Sequence, residues 1–510
     1  MLARVVSSAL LGVDAYRVTV EADLSGGLPA FSLVGLPDPS VRESRERVAA
    51  AVKNSGFHFP ARRITINLAP ADIRKEGALY DLPIALGILV SSEQVPPFRS
   101  CETLVVGELS LDGDLRPVRG VLPMAILARR LGLKRIVLPP ENAEEAAIVD
   151  GIDTFPVRSL RDAVGLLLAP EEERPYERRG GEGNGGACAL DLADVRGQER
   201  ARRAVEVAAA GGHNLIFLGP PGSGKTMIAR RLPSILPELS REEALDVTRV
   251  YSVAGLLPAG SSLIRRRPFR APHHSTSDAG LVGGGAYPKP GEVSLAHHGV
   301  LFLDELPEFK KNVLELLRQP LEEGTVRLSR AAVRLSYPAA FMLAAAMNPC
   351  PCGYHGETRC TCSHTQVARY VGRVSGPLMD RIDIHVEVPR VPYKDLAKIE
   401  PGEGSEPIRE RVMRAREIQV ERFTKYPGLF TNARMDSREI RKYAAPDDDC
   451  RLLLRAAIEK LGLSARAHDR ILRVARTIAD LAGCEHLEAP HVAEAIQYRS
   501  LDRPRWREGG

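Results

Sequence analysis

The run Gly219-Pro220-Pro221-Gly222-Ser223-Gly224-Lys225-Thr226 constrains this chain more than any other stretch. It fits G-x-x-x-x-G-K-[ST], and its flanks suit a phosphate-binding loop. Ahead of it, Asn214-Leu215-Ile216-Phe217-Leu218 reads as a short buried strand. Behind it, Met227-Ile228-Ala229-Arg230-Arg231-Leu232 reads as the first turns of a helix. Strand, glycine-rich turn and helix in that order aim backbone N–H groups at a polyphosphate, where the helix dipole also favours anions. Lys225 then reaches the β- and γ-phosphates, and the Thr226 hydroxyl completes a Mg²⁺ shell. A glycine-rich turn of no function is the alternative, and the flanking elements weigh against it.

A second element predicts hydrolysis of the bound triphosphate. Val300-Leu301-Phe302-Leu303 is an apolar strand that ends in Asp304-Glu305. Asp304 at the strand end can hold Mg²⁺ through water, and Glu305 can orient and deprotonate the attacking water. A surface strand with an acidic cap looks similar in isolation, but four apolar residues in a row suggest a strand covered on both faces. The strand Ala340–Ala346 runs into Met347-Asn348-Pro349, which puts the Asn348 amide at a third strand tip, within reach of a γ-phosphate or the water.

With 510 residues, the chain has room for two or three domains. No apolar run is long enough to span a bilayer, so no membrane partner is expected. The start, Met1 to Gly12, is faintly signal-like, but Asp14, Arg17 and Glu21 follow in strand-like alternation, and a strand pair is the better reading. A net charge of +5 over this length is too mild to imply nucleic acid by itself, and a cytoplasmic location is expected.

The sharpest change in composition runs from Glu171 to Gly186, which has no apolar aliphatic side chain and reads as a flexible linker over 169–189. It separates an α/β domain at 1–168 from a nucleotide-binding core at 190–390. Past Pro389 the strands stop, and Ile408–Arg422, Asp449–Leu461, Ala465–Leu481 and Ala489–Tyr498 read as helices of a lid over 391–510.

Several local strings narrow this further. They are Arg267-Pro268-Phe269-Arg270-Ala271-Pro272-His273-His274-Ser275, Gly291-Glu292-Val293-Ser294-Leu295-Ala296-His297-His298-Gly299, Asn348-Pro349-Cys350-Pro351-Cys352-Gly353 and Ser375-Gly376-Pro377-Leu378-Met379-Asp380-Arg381-Ile382-Asp383. With the phosphate motifs they resemble the YifB/ComM family, magnesium chelatase-like AAA+ ATPases, over essentially the whole chain. The resemblance implies an α/β fold: an AAA+ P-loop core with a helical lid, preceded by a Lon-protease-like (ribosomal S5 domain 2-like) α/β domain. It also implies a hexameric ring, ATP and Mg²⁺ as cofactors, and DNA, single-stranded or branched, as partner. ComM-type members are ATP-driven helicases that extend branch migration in recombination, notably in natural transformation.

The family pattern assigns further roles. Arg381 matches the arginine finger that reaches a neighbouring subunit's γ-phosphate; an ion pair with Asp380 or Asp383 is the plainer reading. Arg466 matches the second sensor, with Arg470 one turn on as competitor. The segment Val326–Leu335 looks like a hairpin pushed into the ring pore, with Arg327, Arg330 and Arg334 toward DNA phosphates and Arg330 at the tip. A solvated hairpin with basic edges is its alternative. A second insert, Leu263 to Tyr287, carries Arg265, Arg266, Arg267 and Arg270 and is a further pore candidate. In the Lon-like part, Lys75-Glu76-Gly77 leads to Asp81 about where a Lon-type protease has its serine, so peptide cleavage is not expected. The helix Ser40 to Lys53, with Arg42, Arg45 and Arg47, reads as a solvated face.

Four of the eight cysteines, Cys350, Cys352, Cys360 and Cys362, form two Cys-x-Cys pairs that can close a tetrahedral S₄ site. In a reducing cytosol disulfides are the less favoured use; structural Zn²⁺ is expected, with His355 and His364 as spare ligands and free or redox-active thiols as the alternative. The pairs His273-His274 and His297-His298 are read as structural, because adjacent side chains rarely point the same way.

A hexameric DNA motor is the leading expectation. A chelatase-type motor and an ATPase that remodels a protein client are the alternatives. Stimulation of hydrolysis by DNA, by a porphyrin-binding partner or by a protein would separate them.

Overall fold

A computed structural model describes residues 2–97, 100–169, 173–178, 190–257, 263–285, 288–329, 334–390, 402–426, 428–499 and 501. The chain is α/β and divides into two compact units, each built on its own sheet.

The first unit comprises Met1–Gly185, Arg241–Arg265 and Ser329–Tyr337. Its strands are β1 (Leu2–Leu11), β2 (Asp14–Ser25), β3 (Ala30–Val34), β4 (Arg63–Ala69), β5 (Thr103–Val105), β6 (Arg135–Leu138) and β7 (Asp153–Pro156), in the order β3-β4-β2-β1-β5-β6-β7. The signal-like start is the antiparallel pair β1–β2, in register from Leu2 opposite Asp23 to Leu11 opposite Asp14. Alternation sets the buried face: Val18, Val20 and Ala22 on β2 and Ile64, Ile66 and Leu68 on β4 are buried. Helix α1 (Ser44–Asn54) is followed by α2 (Asp81–Ser91), which is apolar all round, buried along its length and packed on β1 and β2. Gly87 permits that approach, since a Cβ there would lie 3.1 Å from Ala22 Cβ. Helices α3 (Val121–Arg130) and α4 (Leu160–Leu168) complete the cover.

The helix Arg241–Ala254, which follows the phosphate loop in sequence, packs against α3 in this first unit. Gly120 N–H donates to the Ser252 carbonyl at 3.2 Å, and the Ser252 hydroxyl donates to Glu145. Within the expected linker only 169 and 173–178 are described; the Tyr176 hydroxyl donates to Glu144 at 2.8 Å and its ring packs on the core. The rest of that linker lies outside the described residues.

The second unit comprises Gly186–Ser240, Arg266–Leu328 and Pro338–Gly510. Helix α5 (Glu199–Gly211) precedes β8 (Leu215–Leu218), and α6 (Lys225–Ala229) follows it. With β9 (Phe269–Arg270), β10 (Val300–Leu303), β11 (Met342–Met347) and β12 (Ile384–Glu387), the order is β9-β10-β11-β8-β12, all parallel. Strands β8, β10 and β11 are buried at every residue, as continuous apolar runs in a parallel sheet should be.

Beyond β12 the described chain is helical: α7 (Ser405–Arg422), α8 (Asp448–Leu461), α9 (Ala465–Ala482) and α10 (Ala489–Gln497). A short helix at Ser437–Tyr443, not expected from the sequence, starts on an Asp436–Glu439 capping box. The face Ala201, Ala204, Val205 and Ala208 of α5 takes α7 and α9. The last carbonyls of α5 are satisfied from α7, Ala209 by Arg416 and Ala210 by Gln419. Among the described residues, no helix is long and apolar enough to cross a membrane.

Candidate active site

Register places three strand tips level. Leu218 pairs with Met347 and Leu303 with Ala345, so Gly219, Asp304 and Asn348 emerge together at the carboxyl edge of the sheet. That is the edge where open parallel sheets bind ligands. Gly222 and Gly224 take φ of +76° and +97°, which turns the chain into α6.

Lys225 Nζ donates to the carbonyls of Gly219 (2.6 Å) and Pro220 (2.9 Å) and to Asn348 Oδ1 (3.1 Å). Burial lowers its pKa, against the pull of Asp304 and Glu305. The Thr226 hydroxyl donates to Asp304 Oδ2 at 2.6 Å, bringing together the two oxygens expected to share a cation. This pairing of hydroxyl and carboxylate fits Mg²⁺, a hard ion that takes oxygen ligands. Glu305 has a left-handed backbone (φ +51°), an uncommon conformation for a residue with a side chain, and its carboxylate is half exposed.

A cavity of about 490 Å³ adjoins the phosphate loop, lined in part by Gly197, Gln198, Gly219, Pro220, His355 and Val388. Its volume suits a nucleoside. Gln198 Nε2 holds one wall by donating to the Pro389 carbonyl at 2.7 Å.

The arginines lie elsewhere. Arg381, Arg466, Arg470 and Arg473 line a second cavity, of about 340 Å³, that shares no lining residue with the first. Arg381 donates to Glu322 and to the Pro377 carbonyl (2.6 Å), so its ion pair is with neither Asp380 nor Asp383. Arg470 is engaged by Asp383, which also lies 3.5 Å from His213 Nδ1. Although burial opposes it, Arg470 and His213 hold the Asp383 carboxyl well below the usual range. Arg466 is exposed and has no ion pair or hydrogen bond among the described residues, which separates it from Arg470.

Four thiol sulfurs converge next to Asn348. Cys350 and Cys352 Sγ are 3.3 Å apart, Cys350 and Cys360 3.9 Å, and Cys352 and Cys360 3.6 Å, with Cys362 in the same group. Zn–S bonds of about 2.3 Å in a tetrahedron require S···S of about 3.8 Å, so the set fits Zn²⁺. The Thr361 and Tyr354 amides pull the Cys352 thiol down to about 6. The Cys352 amide favours the Cys362 thiolate too, but burial and the neighbouring sulfurs push that thiol up to about 11. Neither His355 nor His364 joins the cluster.

Other expectations fare unevenly. Arg330 lies outside the described residues; Arg334 opens the strand Arg334–Pro338, and Arg327 pairs with Glu323 at 3.1 Å. In the second insert, Arg267 donates to the carbonyls of Pro237 (2.7 Å) and His298 (2.8 Å), and Arg270 makes a bidentate pair with Glu292. Those two arginines are therefore structural. The helix Ser40 to Lys53 is not wholly solvated: Arg47 makes a bidentate pair with buried Asp81 at 2.7 and 3.0 Å. Lys75 is buried, with Nζ donating to the Ile73 carbonyl at 2.7 Å.

The histidine pairs do point the same way, with ring centroids 4.0 Å apart for His273–His274 and 3.9 Å for His297–His298. His297 Nδ1 accepts from Ala340 N–H at 3.0 Å, a structural bond. His274 Nδ1 lies 3.4 Å from Glu305 Oε2, beside the expected base. Sequence reasoning missed this partner, and only its place shortly after β9 could have hinted at it.

Three family models match the chain in succession. "Subunit ChlI of Mg-chelatase" matches residues 20–142, "Magnesium chelatase, subunit ChlI" 191–396, and its C-terminal counterpart 402–499. Competence protein ComM of Haemophilus influenzae is 47% identical over 506 residues, 98% of this chain and 98% of its own. The uncharacterized protein YifB of Escherichia coli is 45% identical over 497 residues, 97% of this chain and 96% of its own. Lon protease 2 of Bacillus subtilis is 26% identical over 160 residues, 29% of this chain and 28% of its own.

Proposed function

This chain belongs to the YifB/ComM family of magnesium chelatase-like AAA+ ATPases, and from that premise we propose that it is an ATP-driven motor acting on branched DNA. On this reading six copies form a ring and drive branch migration during homologous recombination, as in natural transformation. Likeness to a competence protein along nearly the whole chain supports the process.

The observation that carries the reading is the division of the chemistry between two cavities. Lys225, Thr226, Asp304, Glu305 and Asn348 gather at the carboxyl edge of the sheet beside the first, and Arg381 and Arg466 line the other. A site divided in this way is complete only where one copy's arginines meet the next copy's phosphates. In phosphoryl transfer, an arginine supplied in this manner contributes about 10³–10⁵ in rate.

The roles follow from position. Lys225 exchanges its loop carbonyls for phosphate oxygens. Thr226 and Asp304 hold Mg²⁺, which when bound neutralises charge developing on the β- and γ-phosphates. Glu305 takes the proton of the attacking water, and Asn348 orients the γ-phosphate. Arg381 must first leave Glu322. The ATPase core is assigned to 190–390, the lid to 391–510 and the Lon-like domain to 1–168. Cys350, Cys352, Cys360 and Cys362 hold a structural zinc, since four thiolates leave no position open for water.

The test is ATP-dependent strand exchange on a synthetic three-stranded branched DNA, with Glu305→Gln as control. Exchange that needs both ATP and Glu305 is expected. No exchange, with hydrolysis indifferent to DNA, would move the reading to a protein client or a chelatase partner.

A further inference from the structure

The cysteine loop is also a wall of the nucleotide site. It leaves β11 directly behind Asn348, the acceptor for Lys225 Nζ. Pro349 and His355, on either side of Cys350 and Cys352, line the cavity that Gly219 and Pro220 line from the phosphate-loop side. Between them, Gly353 lies against the phosphate loop, and a Cβ built on it would come within 2.4 Å of Pro221 Cδ. Only glycine suits both that approach and its φ of +87°. After Cys362 the chain enters the helix His364–Val371, where the Tyr370 hydroxyl meets the backbone amide of Asn348. Both ends of the loop thus bear on Asn348, and its middle bears on Pro221.

Local bonds shape its turns, Gly353 N–H donating to the Cys350 carbonyl and Cys360 N–H to the Glu357 carbonyl, both at 3.0 Å, and the four sulfurs bring its two ends together. Cys350 is buried, the other three cysteines are partly exposed, and none of the four is in a disulfide. A segment held by four sulfurs around one cation takes its geometry from that cation.

We propose that metal occupancy of the Cys350–Cys362 cluster and nucleotide affinity are thermodynamically coupled, with His355 and Gly353 as the residues that transmit the coupling. The proposal rests on the ATPase reading above. With zinc in place, His355 is held in the cavity wall and Gly353 against Pro221. Without it, both relax and the phosphate loop loses its brace. Coupling of this kind is reciprocal, so nucleotide must tighten zinc by the factor by which zinc tightens nucleotide.

The full-length protein, purified with its zinc, is titrated with a fluorescent ATP analogue before and after the metal is stripped by a chelator. Affinity is expected to fall by at least about fivefold, the low end of ordinary coupling between sites. Competition with the chelator is expected to show zinc held more tightly, by the same factor, at saturating ATP. Gly353→Ala and His355→Ala keep all four ligands, so each should retain its zinc and its circular dichroism while binding nucleotide more weakly. Should stripping unfold the chain, these two variants decide. Equal nucleotide affinity with and without zinc in folded protein, or wild-type affinity in both variants, overturns the proposal alone. So does protein that neither carries nor takes up zinc. Zinc-loaded protein that binds no nucleotide overturns the ATPase reading and this proposal with it.

Discussion

At the scale of single residues, Glu305 carries the sharpest expectation. Glu305→Gln keeps the shape and loses the base, so nucleotide binding should persist while turnover falls by about 10²–10⁴. Phosphate release measured beside nucleotide affinity checks this, and near-normal turnover would remove Glu305 from its role. Asp81 gives a pH dependence. Burial pushes its carboxyl up to about 6, although Arg47 pulls the other way. The folded state therefore keeps a proton that the unfolded chain releases near pH 4, and this residue's contribution to stability rises as pH falls from about 7 to 4. In Asp81→Asn that part of the slope should vanish, as read from urea midpoints across the range. Asp304, Glu305 and Asn348 were legible because each stands at the end of a short apolar run, and Lys225 and Thr226 because the glycine spacing after such a run places them. The partners Glu322 for Arg381, Arg47 for Asp81 and His274 for Glu305 were not. They join segments far apart in sequence, and no local pattern records such a meeting.

At the scale of elements, one buried carboxylate ties α9 to the sheet. Asp383 opens the way into β12, accepts from Arg470 on α9 and receives the Asn214 backbone N–H at 3.2 Å ahead of β8. Asp383→Ala takes the buried carboxylate away from the half-buried Arg470 and Arg473 and should cost about 3–5 kcal/mol in chemical denaturation of the second unit. Arg466→Ala removes a group with no described partner, so it should lower hydrolysis without lowering stability. If it melted the protein as Asp383→Ala does, Arg466 would be structural. The strands of the parallel sheet were readable from unbroken apolar runs, and α7 to α10 from helical periodicity. The two-residue strand β9 was not, because so short an element has no period to detect.

At the scale of the whole molecule, the proposed ring has a mixing test. Lys225→Ala and Arg381→Ala should each be inactive alone, and mixed they should recover partial hydrolysis, because some interfaces then pair an intact loop with an intact arginine. No recovery over a range of mixing ratios would argue against an arginine acting between copies. Composition signalled one break along the chain, at the glycine- and charge-rich stretch after Glu171. It did not signal that the first unit takes in Arg241–Arg265 and Ser329–Tyr337. An amphipathic pattern over Arg241–Ala254 says that a face is buried, not against what. This has a consequence for synthesis and descent. When the ribosome has made the first 185 residues, the sheet β1–β7 is present, but the helix that covers α3 is not, nor are Leu245 and Leu263, which pack on that core. The earliest part of the chain to be made is therefore among the last to be finished, waiting for Tyr337. For the same reason a recombination event cannot exchange this unit as a block, because its last two pieces are written inside the gene segment for the ATPase.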